Sequence, residues 1–337
     1  MSKSGRRPRV LVVGSANMDL VARCEALPQP GETVLAHSFD ATPGGKGANQ
    51  AIAVARSGLA DCAFLGAVGA DEYGARLRDV LRGDGVDIAL LREVPGARSG
   101  TALITVDPAG ANTIVVVSGA NGCLGDLSAA ELAGTAECAV VLAQLEIPVQ
   151  TVQAAFAAVH ETGRALTILN AAPARTLDAE LLAVTDLLVV NEIEAATIAG
   201  PEPHGAGPAA AFAGAFVRCE KLLELTPRVA LTLGEQGVCY ASRDGARYQI
   251  PAARARPVDT TAAGDTFAGV LAACLAADQP IQEALQYACA AASLTVEKPG
   301  AIASIPRAAE IAERHAAVYA YPGGRNTAAS TEQETRR

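Results

Sequence analysis

The chain has 337 residues, 50% hydrophobic and 19% charged, and 27 Lys+Arg against 36 Asp+Glu give a formal net charge of −9. At ~150 residues per domain this length fits about two domains, or one large α/β domain carrying an insertion, with apolar residues enough for a sizeable core. The acidic balance excludes general binding to nucleic acid or to an anionic membrane, and a chain without Trp and with 4% aromatics has few stacking platforms for bases.

Residues 9–13 (Arg-Val-Leu-Val-Val) form a short apolar run ending at Gly14, the pattern of a strand buried on both faces of a parallel sheet. Gly14-Ser15-Ala16-Asn17 follows and is not a GxGxxG dinucleotide turn. The stretch 19–38 carries Pro28, Pro30 and Gly31 between possible short strands. Pro43-Gly-Gly-Lys-Gly-Ala-Asn-Gln then leads into a helix at 48–57 with Ala48, Ile52 and Ala55 on one face. Ala follows its Gly-Lys-Gly where a Walker A loop has Ser or Thr, so the motif is not a P-loop. Its glycines permit a tight turn and close approach of a ligand to the backbone. Simple punctuation before a helix is one reading; Lys46 and Asn49 inside the turn support a polyol or phosphate site.

Further apolar runs recur at 62–68, 139–145, 166–169, 187–190 and 229–233, with helical patterns at 149–162 and 209–225. Strands alternating with helices predict a three-layer α/β/α domain around a mostly parallel sheet. Two β-branched runs, 101–106 and 112–117, flank Asp107-Pro-Ala-Gly, a hairpin signal. Together with 19–38 they predict a small β-sheet lid. The expected division is a main domain of residues 1–16, 44–96 and 119–320, a lid of 17–43 and 97–118, and a disordered tail at 321–337.

Glu146 follows one apolar run, and Asn17 and Asp19 follow another. In parallel sheets ligands bind beyond the carboxyl ends of strands, so these polar side chains are placed to hydrogen-bond sugar hydroxyls. Asn191 and Glu194 follow the run 187–190 at i, i+3. They read either as a helix cap with a dipole-matched carboxylate or as hard oxygen donors near hydrated Mg²⁺ and nucleotide phosphates.

The segment Val258-Asp-Thr-Thr-Ala-Ala-Gly-Asp-Thr-Phe-Ala-Gly places a small-residue turn, Ala262-Ala263-Gly264, before a helix expected at 265–276. Backbone N–H groups and the helix dipole there make an anion site that small side chains leave open. Asp265 is either the helix N-cap or a base beside that site.

The eight cysteines (24, 62, 123, 138, 219, 239, 274 and 289) include no CxxC, and with four His no zinc spacing arises; small buried thiols are expected. There is no signal-peptide stretch and no run of ~20 apolar residues, so a cytoplasmic location without membrane contact is expected.

The motifs GSANMD (14–19), PGGKGANQ (43–50), LNAAPA (169–174), VNEIEA (190–195), TLGEQG (232–237) and DTTAAGDTFAG (259–269) occur in collinear order. Together they resemble the ribokinases, a group within the phosphofructokinase-B-type carbohydrate kinases. The resemblance runs from about residue 9 to residue 307. It implies ATP-dependent phosphorylation of D-ribose at O5. Asn17, Asp19, Gly45, Lys46, Asn49 and Glu146 would hold the sugar, with Asp265 as general base. Ala262, Ala263 and Gly264 would form the anion hole. Asn191, Thr232, Gly234 and Gly237, with Gly264 and Cys289, would line the ATP site, and Glu194 would support Mg²⁺ through water. An activating monovalent cation, usually K⁺, would sit at Asp259, Thr261, Thr295, Lys298, Gly300 and Ser304, partly on backbone carbonyls. The lid would exclude water and pair two copies into a homodimer.

The usual Asn-Pro-Ala-Pro-Ala reads Asn170-Ala-Ala-Pro-Ala here, which loses no ligand, and 200–207 is unusually rich in Pro and Gly. Alternatives are a kinase of the same family acting on deoxyribose, another sugar or a nucleoside, or a non-catalytic sugar- or nucleotide-binding protein on the same scaffold.

Overall fold

A computed structural model describes residues 7–160, 162–200 and 208–319; the tail expected at 321–337 and most of the Pro/Gly-rich segment lie outside the described residues. In chain order the strands and helices are β1 (Arg9–Val13), β2 (Asn17–Cys24), β3 (Ala36–Gly44), α1 (Lys46–Ser57), β4 (Asp61–Gly69), α2 (Glu72–Gly83), β5 (Asp87–Val94), β6 (Gly100–Val106) and β7 (Asn112–Val117). There follow α3 (Ala129–Ala136), β8 (Val140–Ala143), α4 (Val149–His160), β9 (Leu166–Asn170), α5 (Ala179–Ala183), β10 (Leu187–Asn191), α6 (Glu192–Ala199) and α7 (Pro208–Leu223). The chain closes with β11 (Arg228–Thr232), β12 (Val238–Ser242), β13 (Arg247–Ile250), α8 (Ala263–Ala276), α9 (Ile281–Thr295) and α10 (Ala308–Tyr319).

Among the described residues nine strands form one sheet in the order β13-β12-β11-β10-β9-β8-β1-β4-β5. Every pairing from β5 to β11 is parallel; β12 and β13 add antiparallel at one edge. The alternation of side chains along β1 explains the layers. Val10 and Val12 enter one core with α1, α2, α8, α9 and α10, while Leu11 and Val13 enter a second core with α4, α5, α6 and α7. All four are fully buried, each side chain stabilising the fold by roughly 1.5–3 kcal/mol. This is the fold class read from the sequence, including a separate small sheet.

That second sheet has the order β3-β2-β6-β7. The β6–β7 turn follows its residues: Asp107 Oδ1 accepts from the N–H of Ala109 and Ala111 at 2.9 Å each, and Gly110 takes φ 83°. Strand β7 is exposed along its whole length, with Ile114, Val115, Val116 and Val117 each 47–60% exposed. All eight thiols are free; seven are buried, and Cys123 departs from expectation by lying exposed after β7. Among the described residues no helix is long and apolar enough to cross a membrane.

Candidate active site

The parallel strands deliver polar side chains to one edge of the main sheet. Ser15 follows β1, Glu146 follows β8, and Asn170, Asn191 and Thr232 end β9, β10 and β11. From the other side comes the first turn of α8. This helix starts at Ala263, two residues before the expected start, because Ala262 adopts the left-handed conformation (φ 62°) as its cap. In that first turn the N–H groups of Gly264 and Asp265 have no acceptor one turn earlier. A Cβ built on Gly264 would meet nothing within 4 Å, so the turn is open to a ligand.

Asp265 is therefore not the N-cap, and that reading of the sequence is corrected. Asp265 is 7% exposed, and its carboxylate is bonded to α1 rather than to its own helix end. Oδ2 accepts from Asn49 Nδ2 at 2.9 Å and Oδ1 accepts from Gln50 Nε2 at 3.2 Å.

The Gly-Gly-Lys-Gly turn folds back on the residues after β1. Gly45 has φ 91°, and a Cβ there would lie 2.7 Å from the N of Asn17. A Cβ on Gly47 would lie 2.5 Å from the N of Ser15, so both positions need glycine. The approach brings Glu146 into a shared position: its Oε2 accepts from Ser15 Oγ at 2.6 Å, from the Lys46 N–H at 3.1 Å and from Asn17 Nδ2 at 3.5 Å.

Asp19 lies against Gly44, where a Cβ would fall 2.1 Å from its Oδ2. Burial, with the charges of Glu146 and Asp265, lifts its carboxyl from 3.8 to about 7, against the pull of Lys46. Lys46 is held protonated chiefly by Asp265, then by Glu146, Glu194 and Asp19, which outweigh the cost of burying it. One ammonium thus stands among four carboxylates.

On the neighbouring strands Asn191 and Glu194 form a reciprocal cap on α6. Asn191 Oδ1 accepts from the Glu194 N–H at 2.8 Å, while Glu194 Oε2 and Oε1 accept from the Asn191 N–H at 2.8 Å and from its Nδ2 at 3.0 Å. Burial raises the Glu194 carboxyl, with the Asn191 N–H and Lys46 opposing. Thr232 Oγ1 donates to the Val190 carbonyl at 3.2 Å. Gly234 faces open space, whereas a Cβ on Gly237 (φ 110°) would strike the Ile250 carbonyl at 2.0 Å. Cys289 is only 6% exposed, packed in the α8–α9–α10 core, and burial pushes its thiol up to about 12.

Of the six residues read as a monovalent-cation set, three are hydrogen-bonded together. Asp259 Oδ1 accepts from the Thr261 N–H and Oδ2 from the Gly300 N–H, each at 2.9 Å. Burial would raise this carboxyl; the hydrogen bonds overcome it and hold it below the ordinary value. The other three side chains are engaged elsewhere: Thr295 Oγ1 with Thr266 and the Ala291 carbonyl, Ser304 Oγ with the Ala301 carbonyl, and Lys298 with Glu310. The Lys298 ammonium cannot ligate a cation, so that position could serve only through its main-chain oxygen, while the donating hydroxyls of Thr295 and Ser304 keep lone pairs.

Sequence reasoning missed four amides. Asn121 Nδ2 donates to Asn17 Oδ1 at 2.7 Å and to the Ala16 carbonyl at 3.2 Å, while its Oδ1 accepts from the Ala16 N–H at 3.0 Å. Gln50, Gln144 and Asn170 form a buried ladder behind Asp265. The one available signal was amide side chains inside otherwise apolar or small-residue runs.

Residues 7–308 match the pfkB family carbohydrate kinase model. The chain is 36% identical to a ribokinase of Schizosaccharomyces pombe over 90% of its own length and 96% of the relative's. It is 39% identical to a ribokinase of Bacillus subtilis, over 90% and 98%. Among solved structures, that of Arabidopsis thaliana ribokinase complexed with ribose and ATP superposes with a TM-score of 0.83 at 32% identity, covering 92% of this chain and 99% of that one. With the match spanning both sheets and the polar edge between them, the chain belongs to the pfkB family of carbohydrate kinases.

Proposed function

We propose that the protein transfers the γ-phosphoryl group of ATP to O5 of D-ribose, giving ribose 5-phosphate and ADP. The observation that carries this reading is the Asp265 carboxylate, held by Asn49 and Gln50 beside the open Gly264 turn. A base and an anion site then adjoin, which is what phosphoryl transfer to a hydroxyl requires.

In this reading Asn17, Asp19, Asn49 and Glu146 hold the sugar hydroxyls, with the backbone at Gly45 and the Lys46 ammonium beside them. The Asp265 carboxylate takes the O5 proton as the O5–phosphorus bond forms and the bond from phosphorus to the β-phosphate oxygen breaks. In the Ala262-Ala263-Gly264 turn the Ala263 N–H already donates to the Thr260 carbonyl at 3.3 Å, so the Gly264 N–H, with that of Asp265 and the α8 dipole, receives charge on the transferring group. Asn191, Thr232, Gly234 and Gly237 line the nucleotide side; Cys289, buried in the helical core, acts there only through packing.

The hard oxygens of Glu194 suit Mg²⁺ held through water, and its carboxylate, though capped by Asn191, keeps unused lone pairs. Mg²⁺ supplies neutralisation of phosphate charge when bound with ATP. Asp259, already ionised, is the charged anchor for a monovalent cation such as K⁺, with Thr261, Gly300 and the main chain of Thr295, Lys298 and Ser304 around it. The small sheet acts as a lid that excludes water. Its bare apolar strand β7 is covered by the same strand of a second copy in a homodimer, which removes an exposed sheet edge.

The test is an ADP-release assay over ribose, deoxyribose, fructose and nucleosides, with Mg²⁺ and K⁺. Turnover highest on ribose supports the reading. Turnover on another acceptor and none on ribose overturns it.

A further inference from the structure

We propose that Gln50 is a positioning residue for the Asp265 carboxylate, fixing its orientation through an amide ladder anchored on the main sheet. The inference rests on the reading of Asp265 as the general base.

Gln50 and Gln144 are fully buried, and Asn170 is 7% exposed. A carboxylate only accepts, so Gln50 must turn Nε2 toward Asp265 Oδ1, at 3.2 Å. The same Nε2 donates to Asn170 Oδ1 at 3.0 Å, and Gln50 Oε1 accepts from Gln144 Nε2 at 2.7 Å. Asn170 ends β9 and Gln144 follows β8, so two strand ends set one amide plane. Asn49 takes the other carboxylate oxygen. Each oxygen thus has one fixed donor and retains lone pairs for a hydroxyl proton.

Two glycines indicate that the ladder is built in. Gly269, one turn beyond Asp265 on α8, lets α1 approach so closely that a Cβ there would lie 2.5 Å from the Gln50 carbonyl oxygen. Backbone contact therefore sets the spacing between the two helices. A Cβ on Gly14 would lie 2.0 Å from Gln144 Oε1, so that glycine makes the room Gln144 occupies. Gln144 Oε1 is itself buried without a partner, a cost the fold carries at this place.

The charged groups acting on or from Asp265 are Lys46 on α1, Asp19 on β2 and Glu194 on α6. Gln50 is the neutral member, orienting the carboxylate without changing the charge balance. Removing its donor deprives the ionised carboxylate of a hydrogen bond and frees its plane.

The experiment measures kcat and the ribose KM separately, with MgATP saturating, for wild type, Gln50→Met and Gln144→Met. Met keeps the unbranched shape and removes the amide. For Gln50→Met kcat is expected to fall about tenfold with the ribose KM within about threefold, the split that a displaced base gives and a disturbed sugar pocket does not. Gln144→Met leaves the Gln50 donor in place and anchored by Asn170 alone, so a smaller fall in kcat is expected. A wild-type kcat in the folded variants overturns the proposal; if Gln50→Met does not fold, Gln144→Met decides it alone. Asp265→Asn separates the two claims. If that variant is inactive while both Gln variants behave as wild type, the positioning role falls alone. If it turns over normally, the base reading falls and takes the positioning role with it.

Discussion

Asn49 and Asp265 lie 216 residues apart in the chain and are joined by a 2.9 Å hydrogen bond across a buried interface between α1 and α8. The bond ties the sugar-side turn to the turn read as the anion hole. Neither segment makes a site alone: one contributes amides and a lysine, the other a carboxylate and open N–H groups.

The openness at Gly264 predicts a separation of stability from activity. A Cβ there meets nothing within 4 Å. Gly264→Val is expected to leave thermal unfolding nearly unchanged while lowering kcat/KM for MgATP more than about tenfold, because the side chain fills the phosphate approach. Calorimetry and kinetics on the same sample check it. An unchanged kcat/KM removes the turn from the phosphate site.

Asp19 predicts a pH-dependent instability. Its carboxyl titrates near 7 in the folded chain against an ordinary 3.8. Between those values the folded state holds a proton that the unfolded state has released. The stabilising contribution is thus whole below about 4 and lost as pH rises through about 7. Asp19→Asn removes this dependence and is expected to be more stable than wild type at pH 8 by up to about 4 kcal/mol, with little difference near pH 4. Denaturant unfolding at the two pH values measures it. Equal stability differences at both would contradict the account.

Asp259 predicts a cation phenotype distinct from sugar binding. Asp259→Ala removes the carboxylate that links the Thr261 and Gly300 loops. K⁺ activation is expected to weaken markedly while the ribose KM changes little. An unaltered K⁺ titration would place the cation elsewhere or nowhere.

The bare β7 strand predicts an assembly defect. Val115→Asp with Val117→Asp puts charge on a face now 51–60% exposed and unpartnered. Sedimentation is expected to give dimers for wild type and monomers for the double variant. A dimer that persists is held by another surface.

Much of the scaffold was legible because it is written locally. The run Arg9–Val13 announces a strand buried on both faces, and Asp107-Pro-Ala-Gly announces its hairpin. Strands β12 and β13 were not anticipated: they are short, antiparallel and at the sheet edge, with Tyr and Arg interrupting the apolar pattern. The start of α8 was misplaced because an Ala in the left-handed conformation gives no sequence sign, and Asp is an ordinary capping residue. Asp265 and the Gly-Gly-Lys-Gly turn were picked out by residue type and spacing. Gln50, Gln144 and Asn121 were not, because an amide in an apolar or small-residue run is only a faint sign until segments 94 or more residues away supply its partners.

The most direct measurement is turnover against ribose binding in Asp265→Asn. The account predicts a fall in kcat of about 10²–10⁴ with ribose affinity by calorimetry within about tenfold, because the base is lost while Asn17, Asn49 and Glu146 remain. A kcat within about threefold of wild type would contradict it.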